Sequence, residues 1–156
     1  MSSRLFQQVR EKRGLCYSIF SFASLHSDGG TFAVYAGTSA SQVEEMLSVC
    51  ACELAAVASG VTDVEVARAK AQIRANLLMS RESVSSCAEA LARQIMLYGR
   101  PHADAEILDA IDAIDGTKIA TMAGGLIASG TPSLACVGSS LDLLSNHDLA
   151  ARFLVA

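Results

Sequence analysis

Two side chains near the start of the sequence, Arg10 and Tyr17, stand seven residues apart in MSSRLFQQVREKRGLCYS, residues 1–18, on either side of Gly14. A guanidinium presents five N–H donors in a fixed fork and a phenol one O–H, so the two together could hold a carbonyl or carboxylate. The residues alone leave plainer readings open. Arg10 is one of three cations, with Lys12 and Arg13, crowding a helix end, and Tyr17 is an aromatic on a half-buried strand.

The other chemistry-bearing residues have ordinary roles. His26, His102 and His147 are far apart, and none has a histidine or carboxylate at metal-ligand spacing. His147 beside Asp148 reads as a solvated surface pair. The five cysteines, Cys16, Cys50, Cys52, Cys87 and Cys136, follow no regular framework and read as reduced core residues of a cytosol-like compartment. Cys50 and Cys52, two apart on a helix, point to roughly opposite sides and make poor joint ligands. GTSASQ and VGSSLD are not G-x-S-x-G, and no G-x-x-x-x-G-K-[ST] occurs, so neither a serine hydrolase nor a phosphate loop is indicated.

The elements that must position these residues follow from periodicity. Leu5, Phe6 and Val9 mark a first helix that Gly14 stops. Leu15 to Leu25 and Thr31 to Thr38 are β-prone, with the turn signal Asp28-Gly29-Gly30 between them, and predict an antiparallel hairpin. Ser41 and Glu44 form a capping-box pattern ahead of the stripe Val43, Met46, Leu47, Cys50, Leu54, Val57 and Ala58, which Gly60 ends. Thr62 and Glu65 repeat the pattern for a second helix, with Val66, Ile73 and Leu77 inside. Ser83 opens a third, carrying Val84, Cys87, Ala88, Leu91, Ile95 and Tyr98, ended by Gly99 and Pro101. Shorter helices are expected at 104–113 and 117–128, strand character at 132–139 (PSLACVGS) and a last helix at 142–153. The order predicts an α+β fold, a small mainly antiparallel sheet with helices packed on one face. Three strands are few for so many amphipathic helices, so a first strand and helix are expected upstream of residue 1.

Composition narrows the class. At 156 residues the chain suits a single domain, 1–156, and no linker or repeat divides it. Half of the residues are apolar (51%) but only 5% aromatic, which calls for a core of aliphatic side chains between closely packed helices. A net charge of −4 argues against a general nucleic-acid binder. There is no secretory leader pattern and no apolar run of about 18 residues, so a soluble, cytoplasmic chain is expected.

SSRLFQQVREKRGLCYSIFSF resembles the start of the C-terminal domain of pitrilysin-type zinc metallopeptidases, close to the mitochondrial processing peptidase branch. ARAKAQIRANLLMSRESVSSCAEALARQIMLYGR, residues 67–100, and SLACVGS resemble later parts of that domain. The resemblance implies a subunit of two similar α+β domains closing like a clamshell, with zinc held in the N-terminal domain by H-x-x-E-H. No such motif occurs in this sequence, so zinc and a partner N-terminal domain are expected outside it, and the chain alone is expected to be inactive. The family's C-terminal domain contributes an Arg and a Tyr seven residues apart, and Arg10 and Tyr17 match those positions. The resemblance makes them catalytic: donors that reach across the clamshell to a polypeptide substrate and stabilise the tetrahedral oxyanion.

Two further functions are open. The same family includes subunits without the metal site that serve as assembly partners, as respiratory core proteins do; an upstream reading frame encoding H-x-x-E-H would favour the enzyme. A stand-alone module binding a small ligand would require a stable monomer. The exposed sheet edge predicts a homo-oligomer instead.

Overall fold

In the computed structural model, residues 3–138 are described. The first element is not an α-helix. Phe6–Glu11 winds as a π-helix, shown by Lys12 N–H donating to Gln7 O at 2.9 Å, five residues back. Gly14, at φ +62°, turns the chain out of it, in a conformation that a side chain resists. Gly14 N–H donates to Arg10 O (3.0 Å) and Leu15 N–H to Val9 O (2.9 Å), which folds residues 14–17 back across the helical turn.

The predicted hairpin follows as β1 (Ser18–Leu25) and β2 (Gly30–Gly37), antiparallel, with Ser18 opposite Gly37 and Leu25 opposite Gly30. His26 N–H closes its turn on Gly29 O at 2.8 Å. The period of two divides its residues between the faces. Ile19, Ala36 and Val34 face the core, while Phe20, Phe22 and Tyr35 lie on the far face, where Phe20 and Tyr35 stack with centroids 5.1 Å apart. The core is small and gathers where the π-helical turn, the base of the hairpin and the next helix meet. Val9, Leu15, Cys16, Ile19, Met46 and Cys50 are buried there, with Leu5, Phe6, Val34 and Leu47 packed around them.

Five α-helices complete the α+β fold. They are α1 (Val43–Ser59), α2 (Asp63–Ser80), α3 (Val84–Tyr98), α4 (Asp104–Asp112) and α5 (Gly116–Ala128). Helix α1 lies on the core face of the hairpin base and also packs against α5. It turns into α2 through 101° at Gly60, and no single described helix is long and apolar enough to cross a membrane. The Thr62/Glu65 capping box forms, Ser83 caps α3 through Ser86 N–H, and Gly99 ends α3 in the left-handed conformation.

Several expectations are corrected. Ser41 and Glu44 make no capping box, because a 3-10 turn, Ala40–Gln42, precedes α1, and Ser39 Oγ hydrogen-bonds Gln42 Oε1 instead (2.8 Å). Residues 132–138 form no strand: neither edge of the hairpin pairs with them, and an extended segment becomes a strand only by sharing a ladder. Val84, Leu91, Ile95 and Tyr98 of α3 are exposed, since among the described residues no element is laid along that side of the helix. Cys16 and Cys50 are buried, but Cys52 and Cys136 are exposed. The helix expected at 142–153 and His147 lie outside the described residues.

Candidate functional site around Arg10 and Tyr17

The segment that carries Arg10 and Tyr17 is fixed at several points. At its start, Arg4 reaches the corner between α1 and α2, where Nε donates to Glu65 Oε1 (2.6 Å) and Nη2 to Glu65 Oε2 (2.8 Å) and Gly60 O (3.2 Å). Glu65 Oε2 also accepts from Thr62 N–H and Oγ1–H, each at 2.9 Å, and Thr62 Oγ1 accepts from Glu65 N–H. One carboxylate thus joins the capping box of α2 to the start of the π-helical turn. The Arg4 guanidinium, with the Thr62 donors, holds the Glu65 carboxyl well below the usual carboxylate range.

At its middle the segment is anchored by Val9, which is fully buried, and by Leu15. At its end, Thr38 Oγ1 donates to Leu15 O (2.5 Å) and Tyr17 N–H to Gly37 O (2.9 Å), tying residues 15–17 to the start of the hairpin. Gly14, Cys16, Tyr17, Thr38 and Gln42 line a shallow open depression there.

The structure brings the two predicted residues together. The Arg10 guanidinium carbon is 5.7 Å from the centroid of the Tyr17 ring, within cation–π range. The same guanidinium lies 4.8 Å from the Phe6 ring centroid. Among the described residues no oxygen accepts a hydrogen bond from Arg10. Arg13 differs: its Nη1 donates to Gln8 O (2.9 Å) and Gln8 Oε1 (3.0 Å). Of the two arginines at this helix end, one is therefore used locally and the other keeps its donor fork uncommitted. Tyr17 is 85% exposed, and its hydroxyl has no hydrogen-bond partner among the described residues. Two unoccupied donor groups side by side, on a backbone fixed at three points, form a site that can receive an oxygen-rich partner such as a peptide carbonyl or carboxylate.

Beneath the site, burial pushes the Cys16 thiol up against the opposing pull of the Arg10 charge. Cys50, deeper in the core, is pushed up to about 12, chiefly by burial, with the charges of Cys16 and Glu53 adding to it. Both are core residues rather than nucleophiles.

The described residues do not fit a catalytic zinc. Among them, no group of three or more His, Cys, Asp or Glu side chains could hold a metal ion. His26 sits at the hairpin turn beside Ser24 Oγ (3.3 Å), and His102 Nδ1 contacts Glu106 Oε1 (3.0 Å) at the start of α4. Sequence reasoning missed Phe6 as a neighbour of Arg10, although the i, i+4 spacing of an aromatic and a cation on one helical turn was a usable signal. It also missed the Arg4–Glu65 contact, which no local pattern marks.

A family profile described as the Peptidase M16 inactive domain matches residues 1–73. The chain is 35% identical, over 97% of its length, to an uncharacterized zinc protease of Streptomyces coelicolor, covering 33% of that protein. It is 36% identical, over 85% of its length, to an uncharacterized zinc protease of Rickettsia felis, covering 32% of it. It is 33% identical, over 76% of its length, to the uncharacterized zinc protease YmxG of Bacillus subtilis, covering 29% of it. The chain thus spans about a third of the length of the curated relatives it matches. In fold it is similar to a chain in the structure of complex III2 from Candida albicans with Inz-5 bound. That match has a TM-score of 0.72 at 23% identity, over 80% of this chain and 30% of the other. With the motif of residues 2–22, these findings place the chain in the M16, pitrilysin-type peptidase family, as a C-terminal domain of that family.

Proposed function

We propose that the chain is the substrate-contacting, metal-free part of a zinc-dependent endopeptidase, related to the mitochondrial processing peptidases. In this reading the zinc and its H-x-x-E-H motif belong to a partner N-terminal domain outside these residues. Arg10 and Tyr17 face that partner and grip the substrate main chain. The observation that carries the reading is the adjacency of an uncommitted guanidinium and an exposed phenol on the motif that the chain shares with the family.

The chemistry follows from the groups present. A carbonyl oxygen that gains negative charge during acyl transfer is stabilised by donors placed before the reaction. The Tyr17 hydroxyl supplies one neutral donor. The Arg10 fork supplies a charged pair that also fixes the direction of the peptide. Both groups act as hydrogen-bond donors in this role.

The test uses the full-length protein with a quenched fluorescent peptide library. Arg10→Ala and Tyr17→Phe are each expected to lower kcat/KM about 10-fold or more, the loss typical of one oxyanion-type donor, with zinc content unchanged. Unchanged turnover in both variants removes the pair from the reaction. A full-length protein that holds no zinc and cleaves nothing favours the second reading, a non-catalytic partner subunit, with which the family description as an inactive domain also agrees.

A further inference from the structure

We infer that Phe6 is a positioning residue for Arg10, an inference that rests on the catalytic reading of Arg10 given above. The two rings near the guanidinium are held differently. Tyr17 is largely exposed and free at its hydroxyl, whereas Phe6 is half-buried and packed against the core that holds Val9 and Leu15. Phe6 is also the closer, at 4.8 Å against 5.7 Å. An arginine on a helix end with no polar partner samples many rotamers. A ring anchored in the core removes much of that freedom by attracting the cation to its face, and it does so without occupying a single N–H.

That last property separates Phe6 from any acidic neighbour. A carboxylate would hold Arg10 equally well but would take up the fork meant for the substrate. Arg4, six residues earlier, shows the contrast: its guanidinium is fixed by Glu65, to which both Nε and Nη2 donate. An aromatic support leaves the planar edge of Arg10 available, so Phe6 acts through Arg10 and touches no substrate itself.

The test combines kinetics in the full-length protein with NMR of the chain. Phe6→Met keeps apolar bulk and removes the ring face; Phe6→Trp strengthens it. Phe6→Met should lower kcat/KM for the quenched peptide library about two- to fivefold, the size of an exposed cation–π contact, and Phe6→Trp should not lower it. In the Arg10→Ala background, Phe6→Met should cause no further loss. The Arg10 Nε–Hε resonance should be displaced by ring current in the parent chain, move toward the free-arginine position in Phe6→Met, and be displaced further in Phe6→Trp. Equal losses from Phe6→Met with and without Arg10, or an Hε resonance indifferent to residue 6, would overturn the inference. Should Phe6→Met not fold, the Phe6→Trp resonance decides alone. Unimpaired cleavage by Arg10→Ala would instead remove the catalytic reading, while the resonance would still report whether Phe6 holds Arg10.

Discussion

The joint between Arg4 and Glu65 lends itself to a double-mutant cycle with Arg4→Met and Glu65→Gln. Both side chains are about three-tenths exposed, at 27% and 30%, so the pair lies between a free surface bridge and a buried one. Glu65 carries two contacts to Arg4 and two from Thr62, so Glu65→Gln loses charge assistance on all four but keeps one acceptor for the cap. Losing part of a capping box and weakening charge-assisted bonds costs about 1.5 kcal/mol. Arg4→Met, which also abandons Gly60 O, costs a similar amount, about 1.5 kcal/mol. The double variant should lose only about 2 kcal/mol, leaving a coupling of about 1 kcal/mol. Urea unfolding at unchanged m-value reads this directly. The pH dependence gives the sign. The folded carboxyl lies below its ordinary value of 4.5, so the contribution is complete above that pH and is lost as the pH falls through the folded value. The coupling should therefore hold at pH 7 and shrink in acid. Additivity within about 0.3 kcal/mol at pH 7, or a coupling that grows in acid, would refute the account of one carboxylate serving both helix cap and N-terminal segment.

Two other predictions concern the same region. Gly14→Ala places a Cβ at φ +62° with open space around it, so the cost is backbone strain alone, about 1–2 kcal/mol, measured by chemical unfolding; an unchanged midpoint would show that the turn relaxes without loss. The hairpin strands SIFSFASL and GTFAVYAG contain no charge and no proline, and their exposed aromatics leave an unguarded edge. Light scattering at micromolar concentration should find the isolated chain as a dimer or larger, and a lysine at Phe22 or Phe32 should shift it toward monomer; a monodisperse parent monomer would count against edge pairing.

What was legible in the sequence was mostly local. The hairpin, the stop signals at Gly14, Gly60 and Gly99, and the caps at Thr62 and Ser83 each depend on a few neighbouring residues, and they form as expected. The misreadings involve choices made by distant contacts. Residues 132–138 have strand-like composition, but a strand exists only with a partner, which composition does not specify. The inner side assigned to α2 was drawn from periodicity, which tells which residues share a side but not what is laid against it: Val66 is buried there, but Ile73 is exposed. At the site, the spacing of Arg10 and Tyr17 across Gly14 was visible. The π winding was not, since it depends on how the turn settles on Val9, and the contact from Phe6 was marked only by its i, i+4 spacing from Arg10.

The winding of Phe6–Glu11 also has an evolutionary reading. A π-helical turn holds one residue more than the α-helical turn it replaces, so the segment carries what amounts to a fixed insertion. Point substitutions at its outward positions, Gln7 or Glu11, leave the winding count intact. Deleting one residue from it would let the turn relax to α-helical winding, the tighter turn restoring the roughly 100° of rotation lost with the residue, so the side chains on either side keep their register. The winding of this segment is therefore a form of slack, able to take up one residue's difference in length without turning the elements on either side of it.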